Sequence, residues 1–454
     1  MPTDTHGAVG YPIACPTVTT ADPLSTRDRE RRDLFGWLVL VCIGLLATWL
    51  AVRGGARLGT ASAPFLGSYR FELSPASLLA PLVAVAVLGA AWRGWIHRLP
   101  WWAVSTGATV AFFAWAVSLA LVDGAGGLTR SLTPDSYLGD VQEVGDDPLA
   151  YLSSFTGRSA EHTTATRGHP PAPVLLLWAV QRLGVTDHLA LGLLVTAVGA
   201  LSVPMVLAAV RDMSGEAAAR PYAPVLALAP YAVWTAVSMD AVVATLGAAM
   251  TLAGVRATRR HGWRAALWAV LAGLLLGVAA LFSYAVAWLG LSVVFLNFAR
   301  RRAALNMFAG LGVLLPVLGA AKLGFTWTDG LGTAYADFAE RIEPHRSAMW
   351  WGLISVCALL LAVGPPLYAS LRKVRNTPGW PFLVGAATAV LFSVGAGLAR
   401  GGVEHAWLPY FPWLTIAAVA PERPGGDPVP APLLLVAVGA ASAMVIEAVL
   451  STPW

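Results

Sequence analysis

The fold of this chain depends on where one short apolar segment is placed. Residues 167–183 read RGHPPAPVLLLWAVQRL and close the longest polar segment between the apolar blocks, 123–184. Their apolar part, 172–183, is shorter than the roughly 20 residues that a helix needs to cross a bilayer. We therefore expect a helix that lies at the outer surface of a membrane. If it spanned instead, the segment 211–220 and its arginines would move to the outer side, against the charge bias of the loops.

The composition is that of a membrane protein. Of the 454 residues, 57% are hydrophobic and 12% are charged, whereas soluble domains carry about 25% charged residues. The 19 tryptophans fit this class, because Trp is enriched at membrane interfaces. The net charge of +5 does not indicate nucleic-acid binding, because the basic residues fall in short clusters between apolar runs. Cys15, Cys42 and Cys357 lie far apart and show neither metal-ligand nor disulfide spacing.

Apolar runs of spanning length predict an all-α polytopic membrane protein with about thirteen transmembrane helices. The runs lie near 35–54, 77–95, 101–122, 187–210, 220–236, 239–257, 264–281, 283–299, 304–321, 349–370, 380–398, 405–420 and 430–450. Residues 1–34 are predicted to be a disordered cytoplasmic tail, because its arginines precede the first run. Alternation from there gives short basic inner loops and long outer loops, as the positive-inside rule requires.

Under this topology, polar residues from separate parts of the chain meet on the outer face. This face holds the acidic loop 123–184, His169, Asp240 and Glu404. Acidic residues at the ends of apolar helices indicate a functional site. Each has a simpler interpretation as well. His169 can be incidental to a rigid Pro-Pro turn, Asp240 can be a helix N-cap, and the aromatics after Glu404 can form an interfacial belt.

A second outer loop, 322–348, adds basic groups. Arg341 and Arg346 could bind a phosphate group through paired hydrogen bonds. They could equally pair with Glu340 and Glu343, which lie close to them in the sequence.

Taken together, these motifs resemble the GT-C glycosyltransferases, multispanning enzymes that use polyprenyl-phosphate sugars. The resemblance rests on an acidic first outer loop, His169-Pro170-Pro171 opening a juxtamembrane helix, Ser238-Met239-Asp240-Ala241, Phe282-Ser283-Tyr284 and the run from Glu404-His405 to Trp413. It covers roughly residues 123–420, and the Arg-rich, Lys-poor composition is similar to that of actinobacterial members. It implies a GT-C-like catalytic domain over 35–420, with a separate C-terminal helix in 421–454.

The resemblance implies transfer of a sugar, arabinofuranose or mannose, from the lipid-phosphate donor to a cell-envelope glycan, lipid or protein acceptor. The reaction would invert the sugar, occur on the extracytoplasmic face of the plasma membrane and serve cell-wall biogenesis. The family's roles fall on these residues: Asp135 as the base with Asp140 as the alternative; His169, Arg341 and Arg346 at the phosphate; and Arg167, Asp240, Tyr284, Glu404 and His405 at the substrates. The carboxylates allow a divalent cation, Mg²⁺ or Mn²⁺, but no ligand spacing demands a metal.

Two other functions stay open. A lipid or glycolipid transporter or flippase would show an internal inverted repeat and helices broken by Gly or Pro in corresponding halves; the prolines of this chain form no matched pair. The second alternative is an inactive relative that serves as a scaffold. It stays open because Ala172 follows the His-Pro-Pro motif and His405 follows Glu404, where the family usually has other residues.

Overall fold

The computed structural model describes residues 25–133, 135–426 and 429–451. The described chain is all-α apart from one short antiparallel ladder. In that ladder, β1 (Ser68–Tyr69) pairs with β2 (Leu450–Ser451), and Ser68 lies opposite Ser451. The ladder therefore joins the loop after the first long helix to the end of the last one.

The helices follow one another closely along the chain. The first group is α1 (Thr26–Arg53), α2 (Leu79–Trp92), α3 (Trp95–Arg98) and α4 (Trp101–Ala120). The polar loop holds α5 (Tyr137–Val144), α6 (Pro148–Ser154), α7 (Thr164–Arg167) and α8 (Ala172–Arg182). The middle group is α9 (His188–Ala200), α10 (Ser202–Ser214), α11 (Glu216–Ala219), α12 (Ala223–Ala227), α13 (Met239–Arg259), α14 (Gly262–Ala280), α15 (Gly290–Ala299) and α16 (Leu305–Lys322). The last group is α17 (Trp327–Arg341), α18 (Ala348–Val363), α19 (Pro366–Arg372), α20 (Trp380–Gly395), α21 (Val403–Ala406), α22 (Phe411–Leu414) and α23 (Leu433–Val449). Short 3₁₀ helices lie at Pro75–Leu78, Leu121–Leu128, Arg220–Tyr222, Pro230–Trp234, Ala285–Leu289, Val374–Asn376 and Leu408–Tyr410.

Seven helical segments of the described chain are long and apolar enough to cross a membrane. They are Thr26–Arg53, Pro75–Trp92, Trp101–Leu128, His188–Ser214, Met239–Arg259, Gly262–Ala280 and Leu305–Lys322. The pair α18 and α19 makes an eighth if its bend of 106° lies within one span. Large apolar side chains on α1 and α16 face outward, including Phe35, Ile43 and Leu315, as side chains in contact with lipid do. These helices make the chain a polytopic, membrane-embedded protein by length and composition, but the structure does not confirm thirteen spans.

Two of the thirteen predicted spans consist of short turns instead of one long helix, in addition to the bent pair α18 and α19 in the predicted span 349–370. The segments 220–236 and 405–420 consist of short helical turns, and most of their residues are buried inside the bundle. Proline explains the breaks, because it lacks a backbone N–H and clashes with the preceding turn of a helix. The two segments contact each other: the hydroxyl of Tyr222 lies 2.7 Å from Oγ1 of Thr415. Irregular backbone of this kind is tolerated at membrane depth where protein surrounds it.

The ends of the chain depart slightly from the prediction. Helix α1 begins at Thr26, inside the predicted tail 1–34, and Oγ of Ser25 accepts a hydrogen bond from the backbone N–H of Asp28 at 3.2 Å. Residues 1–24 lie outside the described residues. Near the start of α1, the buried carboxylate of Asp33 accepts two hydrogen bonds from Arg372, at 2.9 and 3.0 Å. This ion pair ties α1 to the end of α19.

Glycines allow the central helices to pack closely. Helix α13 is the most buried spanning segment and packs against α10 and α14, and α14 packs against α16. A Cβ on Gly273 of α14 would lie 1.8 Å from the carbonyl oxygen of Ala309 on α16. Small residues in this arrangement let the backbones of membrane helices approach closely. The rigid bundle positions the helix ends at which the polar residues gather.

Candidate functional site

The polar loop is folded rather than extended. Helices α5, α6 and α8 contribute to one apolar cluster, which includes Leu138, Val141, Val174 and Leu177 and extends to the ends of the long helices. The Pro170-Pro171 pair delivers the chain to α8, and the backbone N–H of Ala172 donates to the carbonyl of Leu281 at 3.1 Å. Helix α8 has 11 residues, so it is a short helix, as predicted. The loop is thereby fixed against the end of α14.

His169 is held at the start of α8 by two contacts. Its Nδ1 lies 2.8 Å from the carbonyl oxygen of Ala165, and a carbonyl only accepts, so Nδ1 carries the proton. The ring of Tyr137 on α5 packs edge-on against the imidazole, with centroids 5.9 Å apart. In the neutral ring, Nε2 is therefore left as the acceptor.

Asp240 and His405 come to the same place from two other parts of the chain. Asp240 lies in the first turn of α13, and its backbone N–H donates a hydrogen bond to Oγ of Ser238 at 3.1 Å. Nδ1 of His405 lies 3.9 Å from Oδ2 of Asp240. A charge on His169 would act on both side chains. We call these three residues the His–Asp–His cluster.

His405 is neutral in this cluster. Burial, and then the charge of His169, lower the pKa of the His405 imidazole to about 3. Its contact with Asp240 is therefore not an ion pair at neutral pH. A neutral imidazole beside a carboxylate can bind a hydroxyl group as donor or acceptor, which is the chemistry that sugar recognition needs.

Glu404, the neighbour of His405, is a buried carboxyl. Its side chain is 1% exposed, and within the described chain neither carboxyl oxygen makes a well-formed hydrogen bond. Burial raises the pKa of Glu404 to about 7, although backbone N–H groups, including that of Leu66, and the charge of Arg346 act in the opposite direction. Arg346 donates to the carbonyl oxygen of Arg400 at 2.9 Å, and burial lowers the pKa of its guanidinium.

The segment 322–348, which holds α17, contacts the polar loop 123–184. Nε of Arg167 lies 3.5 Å from Oδ1 of Asp337 on α17, and Nε of Arg341 lies 2.7 Å from the same oxygen. Arg341 thus pairs with Asp337 rather than with Glu340 or Glu343. The two arginines come from separate loops and share one carboxylate, so they add a net positive charge here.

Other contacts of the second loop fix its position. Nε1 of Trp327 donates to the carbonyl of Ala280 at 2.8 Å, and its ring meets that of Tyr284 with centroids 5.4 Å apart. Glu343 accepts from Arg400 at 2.7 Å. Tyr284 therefore packs against the start of α17. Arg346 lies close enough to Glu404 for their charges to interact.

The two candidate bases differ in surroundings. Asp135 is exposed in the turn before α5, two residues ahead of Tyr137. Asp140 is 1% exposed and accepts hydrogen bonds from Thr163, at 3.2 Å from N–H and 2.7 Å from Oγ1. Burial raises the pKa of Asp140, but the neighbouring polar groups of His162, Thr166 and Thr163 outweigh burial, and the pKa is lowered. Asp140 is thus an ionised carboxylate that the loop itself uses.

Sequence reasoning did not identify three groups that shape this region: His162, Asp337 and Arg400. His162 is 3% exposed and lies beside Asp140 and Glu143. No spacing marks the three as partners, because each acts on a residue that is distant in sequence or lies on another element. Only the acidic and basic character of the two loops pointed to this part of the chain.

No family model, curated protein or solved structure matches this chain. The function is therefore argued from the residues and their geometry. The structure brings His169, Asp240 and His405 together, with Glu404 adjacent in the chain and Arg167 and Arg341 joined at Asp337. This combination of neutral acceptors, buried carboxyls and arginines, beside an acidic loop on a membrane-embedded helical bundle, is the candidate site.

Proposed function

We propose that this protein is a membrane glycosyltransferase that moves a sugar, arabinofuranose or mannose, from a polyprenyl-phosphate donor to a cell-envelope glycan, lipid or protein acceptor. The observation that carries the proposal is the His–Asp–His cluster. Its members lie far apart in the sequence, and each opens or precedes a helix. Charged and polar groups at such positions are energetically costly in an apolar protein. Their presence there therefore favours a role in binding or catalysis.

Polyprenyl phosphate is itself a competent leaving group. The acceptor oxygen forms a bond to the anomeric carbon, the bond from that carbon to the phosphate oxygen breaks, and the electron pair leaves with the phosphate. A single displacement of this kind inverts the sugar and needs one base, which takes the acceptor's hydroxyl proton, and cationic groups, which stabilise the phosphate. A general acid, which glycoside hydrolases require, is dispensable.

The side chains supply these roles. Arg167 and Arg341 share one carboxylate, so they retain net positive charge for a phosphate. His169 adds the acceptor Nε2, or a third cation when it is protonated. Asp240 and His405 bind sugar hydroxyls. Asp135 suits the base better than Asp140, because Asp135 is exposed and Asp140 is occupied by Thr163.

The remaining parts of the proposal concern placement. We place the site on the extracytoplasmic face of the plasma membrane, with the N-terminus inside, because the loops that build it are long and the basic clusters lie in the short ones. About thirteen spans, and participation of Mg²⁺ or Mn²⁺ in transfer, stay predictions.

Transfer from radiolabelled polyprenyl-phosphate mannose and polyprenyl-phosphate arabinofuranose, measured in membranes, tests the proposal. We expect the wild type to transfer one of the sugars, and Asp135→Asn and His169→Ala to lose at least about 100-fold of the rate. Asp146→Asn is the matched control, because Asp146 lies in the same loop with its side chain 93% exposed. Full transfer by Asp135→Asn would remove that residue from the role of base.

One observation favours the rival function of lipid transport. Helices α18 and α19 meet at a bend of 106° next to Gly364 and Pro365, and broken helices are typical of transporters. A chain that binds the donor lipid, transfers neither sugar, and moves the lipid across vesicles would be a transporter or flippase. Binding without either activity would instead indicate an inactive scaffold.

A further inference from the structure

A second polar cluster lies between α5 and the segment before α7, and it takes no part in the proposed reaction, in which Asp135 is the base. Helix α5 carries Asp140 and Glu143 one turn apart, so both carboxylates lie on one face. His162 returns to that face from the segment before α7. Its Nδ1 lies 3.7 Å from Oδ1 of Asp140 and 3.9 Å from Oε2 of Glu143. One ligand atom of each residue lies within 4.8 Å of the others.

The protonation of His162 follows from its other nitrogen. Nε2 lies 3.1 Å from the carbonyl oxygen of Phe155. That oxygen accepts only, so Nε2 carries the proton and the neutral ring presents a lone pair at Nδ1. The imidazole is 1% exposed, and Nδ1 makes no hydrogen bond within the described chain. A buried lone pair therefore points at two carboxylates, from which it is too distant for a hydrogen bond.

We propose that Asp140, Glu143 and His162 bind one divalent cation of the first transition row, Zn²⁺ or Mn²⁺. An imidazole that donates its second N–H to a backbone carbonyl is the usual form of a metal-ligating histidine. One nitrogen and two carboxylate oxygens suit these ions better than Ca²⁺ or Mg²⁺, which prefer oxygen alone. Ligands at about 2.1 Å from a metal lie about 3.0–3.4 Å apart, so each carboxylate oxygen would move closer to Nδ1 by roughly 0.3–0.9 Å. The two carboxylate oxygens, which lie within 4.8 Å of each other, would also approach.

The surroundings complete the ligand sphere. Oδ2 of Asp140 accepts from Oγ1 of Thr163 at 2.7 Å, which orients the carboxylate with Oδ1 towards His162. The hydroxyl of Tyr151 is buried and makes no hydrogen bond in the described part of the chain, and its ring lies 5.9 Å from that of His162. In the proposed site, this hydroxyl would hydrogen-bond a water molecule on the metal. Glu143 is 30% exposed, which leaves a path for the ion.

Among the described residues, Arg158 is the one arginine or lysine that competes for Glu143. Its Nη2 lies 3.2 Å from Oε2 of Glu143, but its Nε lies closer, at 2.7 Å, to Glu161. Glu161 therefore keeps Arg158 when Glu143 turns to a metal. The rival arrangement, without an ion, is a protonated His162 between the two carboxylates.

The bound ion would be structural. It would join α5 to the segment that includes Phe155 and His162, and α5 also carries Tyr137, which packs on His169. The site does not depend on whether the protein transfers a sugar.

The test uses the full-length chain purified in detergent. After EDTA and dialysis, Zn²⁺, Mn²⁺ and Mg²⁺ are titrated separately, and bound metal per chain and the midpoint of thermal unfolding are measured. We expect one ion per chain at micromolar concentration and a higher midpoint. Glu143→Gln and His162→Gln should each weaken binding by at least about 10-fold, whereas Asp146→Asn should bind as the wild type does.

Glu143→Gln keeps the test decisive if His162→Gln does not fold, because Glu143 is partly exposed. Absence of stoichiometric binding of both ions by the wild type would overturn the proposal. So would equal binding by Glu143→Gln, and so would uptake of Mg²⁺ alone.

Discussion

Replacement of Glu404 by Gln should change how the stability of this protein depends on pH. The side chain of Glu404 is 1% exposed, and burial raises the pKa of its carboxyl from the ordinary 4.5 to about 7. Gln has the same shape but does not titrate. The substitution therefore removes one proton-binding group and little packing.

The sign and size follow from linkage. Between about pH 4.5 and 7, the folded chain holds a proton on Glu404 that the unfolded chain has released. The stabilising contribution is fully present below the unfolded pKa and is lost as the pH rises through the folded pKa. The interval corresponds to about 3 kcal/mol. Relative to the wild type, Glu404→Gln should therefore gain about 3 kcal/mol in free energy of unfolding between about pH 4.5 and 8.

The assay is reversible unfolding in mixed micelles, followed by tryptophan fluorescence at several pH values. Glu340→Gln is the matched control, because Glu340 is exposed on α17 and should leave the pH dependence unchanged. If wild type and Glu404→Gln keep the same difference in stability over this whole range, then Glu404 titrates normally and its burial does not govern its charge.

Two further substitutions test packing and charge. Gly273→Ala should lower the free energy of unfolding by about 1–3 kcal/mol, because the new Cβ would lie 1.8 Å from a backbone oxygen of α16. The control is Gly310→Ala, whose Cβ would meet no atom within 4 Å. It should be neutral or slightly stabilising in the same unfolding assay. Arg372→Gln should cost about 3 kcal/mol, because the buried carboxylate of Asp33 loses both hydrogen bonds from Arg372 and keeps only the looser pairing with Arg32 at 3.7 Å. Arg375→Gln, exposed and without an ion pair in the described chain, should unfold like the wild type, and equal losses in both would refute the role of the pair.

The pattern of apolar runs predicted much of the helical architecture. The long helices α4, α13, α14 and α16 lie close to their predicted limits, because an apolar run of about 20 residues has no other stable form in a bilayer, whereas α1 begins at Thr26, well before the predicted start at residue 35. The runs 220–236 and 405–420 failed as continuous helices. Both contain prolines, and a hydropathy pattern does not register how proline and surrounding protein divide a run into buried turns.

The candidate site was predicted in part. The motif residues His169, Asp240 and His405 do lie together, and that was expected from their shared position at the outer ends of helices. The pairing of Arg341 with Asp337 was not expected, and neither was the position of Asp140 beside His162. Such pairings depend on side-chain directions that no spacing in the sequence records.

The sequence by itself determined the class of this protein and most of its long helical segments. Apolarity and helix length are local properties, and the hydrocarbon core of a bilayer requires both. Only the tertiary structure decided which polar groups share a space: Arg167 and Arg341 at one carboxylate, Glu404 buried near Arg346, and His162 with its lone pair directed at α5. The reason is physical. Electrostatic interactions and hydrogen bonds act over a few ångströms between residues that the packing of helices brings together from distant parts of the chain.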